Sequence, residues 1–577
     1  MLSAINRHVL PALALAAITA LAACDSATES ATLVLTNGRI VTVDSAVPEA
    51  QAVAIVGDRI AAVGSAEDIQ RYIGDATQVI DLEGRLAIPG FIEGHGHFMG
   101  LGSSKLQLDL TTASSWNDIV AQVASAAAEA APGEWIHGRG WHQEKWGGLP
   151  TPSVEGNPVH TSLSAVSPDN PVILTHASGH ASFVNAKALE LAGITRTTAN
   201  PSGGEIVRDR NGNATGLLRE TAQRLAGAAS SQADSSQTPE EREALSRRMV
   251  QLAGIDLLSK GVTSFHDAGT GFRTIDFLRG LADEGELPVR LYVMVRGESV
   301  ARMDSLLSSY RMTDYANGFL TVRSIKRQID GALGSHGAWL LEPYADLPRS
   351  AGLALESVES LEQVSEIAIR DGFQVNTHAI GDRANREVLD VYEETFAASP
   401  DKSDLRWRIE HAQHIAPSDV ARFRELGVIA SMQGIHTISD APWLPGKLGA
   451  ERAAEESYLF RSLWDLGVVV TNGTDTPVED ANPIPSFYGM VARVSNDGKV
   501  FTPEQRLTRE EALRAYTINN AYAAFQENDL GSITPGKYAD ITVLSKDILT
   551  IPEAEIPTAE VVYTIVGGDV KFGPSNR

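Results

Sequence analysis

The chain has 577 residues, 43% of them hydrophobic and 21% charged, and carries a formal net charge of −25. That length holds several domains or one large barrel with a smaller partner, and the composition is that of a folded globular protein. The negative charge argues against nucleic acid and anionic lipid surfaces as partners and is otherwise a device for solubility.

The N-terminus, MLSAINRHVLPALALAAITALAACDS, places Arg7 ahead of an apolar run from Val9 to Ala23, followed by Cys24, the one cysteine in the chain. The run is short for a bilayer span and reads as a signal peptide over residues 1–23. LAAC resembles the lipobox of bacterial lipoproteins, which implies cleavage before Cys24 and lipidation of its thiol; a secretory signal with an incidental cysteine is the plainer alternative. A lone cysteine forms no internal disulfide, so lipidation would give it a use. The protein would then face the periplasm, touching the membrane only through its lipid, and Asp25 after the lipidated position points to the inner membrane. Residues 24–32 are a polar tether.

From residue 33 to 88, LVLTNGRIVTVD and AVAIVGDRIAAVG alternate apolar residues about Asn-Gly and Gly-Asp, as β-hairpins do. Residues 526–577 have the same texture in GKYADITVLSKD and EVVYTIVGGDVKF. One small β-sandwich built from both termini is expected. Between them, over 89–525, short apolar strands alternate with helix-period segments such as Leu361, Val364, Ile367 and Ala368. The candidate strands are RLAIPGFIEGHGH, GVTSFHDAG, VRLYVMVRG, VRSIKRQIDG, FQVNTHAIGD, RWRIEHAQH, GVIASMQG and GVVVTNGTD. Eight such units predict an α/β fold, a (β/α)8 TIM-like barrel. The gap between the first two strands, about residues 98–260, predicts an insertion over the barrel mouth.

Polar groups recur where these strands end. His95 and His97 close the first, Lys326 lies on the fourth, His378 on the fifth, His411 on the sixth and Asp475 on the eighth. The C-terminal ends of barrel strands converge on one mouth, so residues distant in sequence become neighbours there. Imidazole and carboxylate suit zinc or another divalent metal with a coordination position left for water. A nearby carboxylate can take a proton from that water and pass it to a leaving amine, which is hydrolysis of a C–N bond.

The motifs PGFIEGHGH, KRQIDGALGS, THAIGDRANREVLDVYE, RIEHAQHI and TNGTDTPVED together resemble the amidohydrolase superfamily, and within it family 3, which includes N-substituted formamide deformylases. The resemblance runs from about residue 31 to the C-terminus. It implies that His95, His97 and Asp475 bind one metal and His378 and His411 a second. Lys326, as its carbamate, would bridge them; otherwise the site holds a single metal. Asp475 would also be the proton shuttle. Two positions depart from the pattern: Glu93 stands where aspartate is usual, and His336, in GSHGA, where arginine is expected.

The remaining histidines keep two readings each. His180 and His436 either touch substrate or sit in the core or at the surface, and His336 either contacts substrate or does not. Strand alternation puts His414 opposite His411, in a supporting role, and His266 with Asp267 would orient ligands from behind. The insertion carries Trp116, Trp135, Trp141 and Trp146; Trp141 and His142 either line a pocket for an apolar acyl group or pack the insertion's own core. The reading is a metal-dependent amidohydrolase acting on non-peptide C–N bonds of a small amide-type substrate, with oligomerisation left open. An esterase or lactonase on the same site, and a non-catalytic substrate-binding lipoprotein, are the alternatives.

Overall fold

The computed structural model describes residues 30–233 and 237–574. The signal segment, Cys24 and Asp25 lie outside them, as do all but the end of the tether. Eight strands form the barrel path of a nine-stranded sheet, the ninth being the short antiparallel Met312–Asp314: β1 (Phe91–Gly96), β2 (Val262–Thr270), β3 (Arg290–Val295), β4 (Leu320–Gln328), β5 (Gln374–Ala379), β6 (Arg408–His411), β7 (Ile429–Met432) and β8 (Val470–Asn472). Each pairs in parallel with the next in chain order. The circle between β1 and β8 is closed without a regular ladder. Asp475 N donates to His95 O at 2.8 Å and His97 N to Thr476 O at 2.7 Å. Lower in the seam, Asn520 Nδ2 donates to Ile92 O at 2.7 Å and Asn472 O at 2.8 Å. Gly94 has no alternative here, since a Cβ would lie 2.4 Å from Asn472 O.

The outer layer follows from apolar spacing and caps. In the helix Val358–Asp371, Leu361, Val364, Ile367 and Ala368 fall on one buried stripe. Ser357 caps its first turn by accepting from Ser360 N, and Gly372, at φ 72°, ends it in the left-handed conformation. The apolar stripe packs into the same core as the barrel strands.

Both termini contribute to a pair of sheets beside the barrel. One holds Leu33–Thr36, Ala52–Val56, Arg59–Gly64 and Gln78–Asp81; the other joins Arg39–Val41, Glu49–Ala50 and Leu86–Pro89 to Ile541–Leu544, Val561–Val566 and Asp569–Phe572. Leu35, Val53, Ile541 and Ile565 share the core between them. The Gly57-Asp58 turn does join an antiparallel pair. The Asn37-Gly38 step, expected as a hairpin, does not: Asn37, at φ 56°, turns the chain from one sheet into the other.

The insertion is narrower than 98–260. Helices Phe98–Ser104 and Pro239–Ser259 pack against each other in the barrel's own layer, so closely that a Cβ on Gly102 would lie 2.1 Å from Met249 O. What stands between them is a mixed six-stranded sheet, ordered Gly204–Arg208, Ala214–Glu220, Ala181–Val184, Val172–His176, Ile136–Trp141, Leu108–Asp109.

Candidate metal centre and its two cavities

His95 ends β1 and His97 follows it as the residue capping the next helix, so a strand end and a helix start present the two imidazoles. Asp475 follows β8, and the seam bond to His95 O fixes its backbone. Its Oδ1 lies 3.3 Å from His97 Nε2 and 3.6 Å from His95 Nε2, and one ligand atom from each of the three falls within 4.8 Å of the others. Lys326 Nζ, from β4, is 3.3 Å from His95 Nε2. The His411 ring is 4.6 Å from that of His95, the His378 ring 4.4 Å from His411, and His180, from the insertion, 5.2 Å from His378. The residues singled out at strand ends are thus brought together.

Two of them sit in costly backbone conformations. Asp475 has φ 57° and His411 φ 76°, with Ala412 next to it at 43°. The left-handed region costs a residue with a Cβ about 1–2 kcal/mol, a strain that concentrates at functional positions. At His411 the conformation has a visible effect. Alternation along β6 sends Arg408 and Glu410 to one face and would send His411 to the other, but the turn brings it back beside His95.

Behind the imidazoles stands a set of partners. Glu410 accepts from His95 Nδ1 and is itself gripped by Arg408 Nε at 2.6 Å, while Arg408 Nη2 reaches Gly94 O at 2.9 Å. His411 Nδ1 donates to Gln433 Oε1 at 2.8 Å, and His180 Nδ1 to Glu220 Oε2 at 2.8 Å. In each case the second ring nitrogen, Nε2, is left to face the site. Asp330 Oδ1 lies 3.4 Å from His378 Nε2, and Glu93 accepts from Thr474 N at 2.6 Å and Thr474 Oγ1 at 3.0 Å, tying β1 to the Asp475 turn.

Burial lowers the pKa of His95, His97, His378 and His411, so all four are neutral imidazoles at neutral pH. Burial, with Arg296 nearby, brings Lys326 down to about 7, which makes its amine available in neutral form. Burial pushes Asp475 up, but the surrounding imidazoles outweigh it and hold the carboxyl well below the usual carboxylate range. Asp475 Oδ1 and His378 Nε2 are buried without a hydrogen-bond partner. Neutral nitrogens, an anionic carboxylate and orphaned lone pairs fit a divalent cation.

Two cavities meet at this cluster. The outer one, about 1280 Å³, is polar and reaches from His97, His180 and Lys326 between the insertion and the barrel. The inner one, about 60 Å³, is bounded by His142, Leu333, His378, His436, Trp443 and Asp475 among others. His142 and His436 therefore line the inner pocket, and His180 lines both cavities. Trp141 lines neither. It is buried in the insertion against Trp146, His176 and Phe183, with its Nε1 donating to Leu174 O at 2.8 Å, and Trp116 belongs to the same core. His336 is also away from the cluster, paired with Asp346 at 3.0 Å and with Lys447 at 3.2 Å. His414 is buried against Ser457 Oγ at 2.9 Å, and His266 contacts Arg408. Asp267 accepts from Phe98 N at 2.9 Å, fixing the helix that follows His97.

A sequence model of the amidohydrolase family matches residues 78–572. The chain is 37% identical over 550 residues to Protein LONG AFTER FAR-RED 3 of Arabidopsis thaliana, covering 93% of this chain and 91% of that protein. It is 28% identical over 553 residues to N-substituted formamide deformylase of Arthrobacter pascens, covering 94% and 99%. Among solved structures, an uncharacterized metal-dependent hydrolase from Pyrococcus horikoshii shares the fold with a TM-score of 0.70 at 27% identity, covering 90% of this chain and 99% of that one.

Proposed function

Because the chain belongs to the amidohydrolase family, we propose that it hydrolyses the C–N bond of a small amide-type substrate at the barrel mouth. The observation that carries this is the convergence of His95, His97 and Asp475, with ligand atoms within 4.8 Å, beside Lys326, His378 and His411. His95, His97 and Asp475 would hold one divalent ion, zinc being the natural candidate for such donors; His378 and His411 would hold a second if Lys326 is carboxylated and bridges the two. An ion bound there supplies Lewis-acid activation of a water and of the scissile carbonyl.

The chain's own residues do the rest. The Asp475 carboxylate accepts a proton from the attacking water and later delivers it to the amine nitrogen as the C–N bond breaks, leaving a carboxylic acid and an amine. His180, backed by Glu220, stands where the two cavities meet and can hold the carbonyl in line with that attack. The walls of the inner pocket keep bulk water from the reacting carbon. The similarity to N-substituted formamide deformylase supports an amide over an ester or lactone.

The test is a hydrolysis screen of the metal-loaded protein against formamides, N-acyl amino acids, ureas and lactones, followed by Asp475→Asn on the best substrate. Asparagine keeps the shape and cannot shuttle a proton, so kcat should fall by roughly 10²–10⁴ with the fold intact. Near-normal kcat in a metal-loaded Asp475→Asn protein, or turnover confined to lactones, would overturn the reading.

A further inference from the structure

The outer cavity carries charge the hydrolytic site does not use. Arg139, on the insertion strand Ile136–Trp141, and Arg296, just past β3, both line it. Arg139 donates Nε to Pro477 O and Nη2 to Ala177 O, each at 3.2 Å, and its guanidinium lies against Gly179. Arg296 donates Nη2 to Gln328 Oε1 at 2.6 Å. Its Cβ packs over Gly269 beside that of Lys326, which fixes it next to the metal cluster. Among the described residues neither guanidinium forms an ion pair, and both keep unused N–H donors.

The acidic side chains of the same wall are already committed. Glu220 holds His180 at 2.8 Å, Glu298 pairs with Arg302 at 2.7 Å, and Glu356 pairs with Arg327. Asp475 and Asp267 attract the two guanidiniums from a distance without pairing with them. Burial lowers the pKa of both arginines, to about 10 at Arg139, yet they remain cationic at neutral pH. Both guanidiniums are half-buried and lack a carboxylate partner, so an anion entering the cavity gains charge-assisted contacts without first displacing an ion pair. Arg224, exposed on the same lining, adds a third positive charge. In a chain with a net charge of −25, three arginines thus gather on the wall of the cavity that opens onto the cluster.

We infer that the substrate is an anionic amide whose carboxylate lies between Arg139 and Arg296 in the outer cavity, with a short uncharged acyl group in the inner pocket. This rests on the hydrolytic reading of the site and names its substrate class. The size contrast agrees with it: about 60 Å³ admits a formyl-sized group, and about 1280 Å³ admits the acid-bearing remainder. Planar guanidinium donors match a carboxylate's two oxygens.

The test uses a hydrolysis-resistant pair, 4-(methanesulfonamidomethyl)benzoate and 4-(methanesulfonamidomethyl)benzamide, titrated calorimetrically into the metal-loaded protein. The two differ only at the far end, in carboxylate against carboxamide. The benzoate should bind at least about 10-fold more tightly, the scale of a charge-assisted contact. That preference should shrink as salt rises and fall to about threefold or less in Arg139→Gln/Arg296→Gln. Equal affinity in the wild-type protein, no binding of either compound, or a preference that survives the double substitution would overturn the inference. The wild-type comparison decides the matter even if the double variant does not fold. Because no turnover is involved, failure here leaves hydrolysis of neutral formamides standing, and failure of the substrate screen leaves this binding result readable.

Discussion

Glu410 decides which nitrogen of His95 faces the centre. By accepting from Nδ1 while Arg408 holds its other oxygen at 2.6 Å, it keeps the imidazole in the tautomer whose Nε2 lone pair is available to a cation. Burial alone would raise the Glu410 carboxyl, but Arg408 and His95 hold it well below the usual range, so it is an anion whenever the protein is folded at neutral pH. Glu410→Gln preserves volume and removes that anion. Zinc affinity should drop about 10- to 100-fold, read by competition with a chelating dye on the folded protein, and thermal stability should fall as well because Arg408 stays buried without its carboxylate. Unchanged affinity would mean that the His95 tautomer is set elsewhere. The ligand candidates at this scale were legible in the sequence because each ends an apolar run, and a strand end is where a barrel puts its chemistry. Glu410 was visible as an alternating partner of Arg408, yet nothing in RIEHAQH distinguishes it from an ordinary buried ion pair. Glu220 and Gln433 had no such marker, and Arg139 stood out only within the Trp-rich stretch EWIHGRGWHQEKWGG, which reads equally as pocket wall or packing. Arg139 and Glu220 come from the insertion, whose approach to the mouth is a matter of tertiary packing.

At the scale of elements, the seam between β1 and β8 is the point where fold and site depend on each other. The two strands that carry His95 and lead to Asp475 are joined by backbone bonds at the mouth and by the Asn520 side chain below it. Asn520→Ala would strand two buried carbonyls and should cost about 1–3 kcal/mol in denaturant unfolding. Metal affinity should fall with it, since the His95–Asp475 spacing is set across that seam; a loss of stability with no change in metal affinity would show that the upper bonds suffice. Eight strands were readable from apolar runs and their flanking helices. The Asn37-Gly38 turn was not, because Asn-Gly marks a reversal without saying whether the next strand pairs back or crosses to another sheet. His414 likewise follows the end of β6, so strand alternation does not govern it, and its burial against Ser457 is set by the loop. Trp141, read as either a pocket wall or core, packs with Trp116 and Trp146 because a six-stranded insertion needs a core of its own.

At the scale of the whole molecule, both termini contribute to the sheet pair beside the barrel, and Cys24 precedes the first described residue, Ser30, in sequence. If that cysteine carries the lipid, Cys24→Ala should move the protein from the membrane to the soluble fraction, and unchanged membrane partitioning would point to another anchor. On the proposed function, the mouth, the insertion and the two cavities would form one reaction chamber with its centre at His95, His97 and Asp475. The most direct test is the divalent-metal content of the purified, dialysed protein, measured by mass spectrometry beside His95→Ala/His97→Ala. The wild-type chain should hold at least one zinc-class ion, two if Lys326 bridges a pair, and the double variant should hold fewer. A wild-type chain without divalent metal, or a variant that keeps the full complement, would contradict the account.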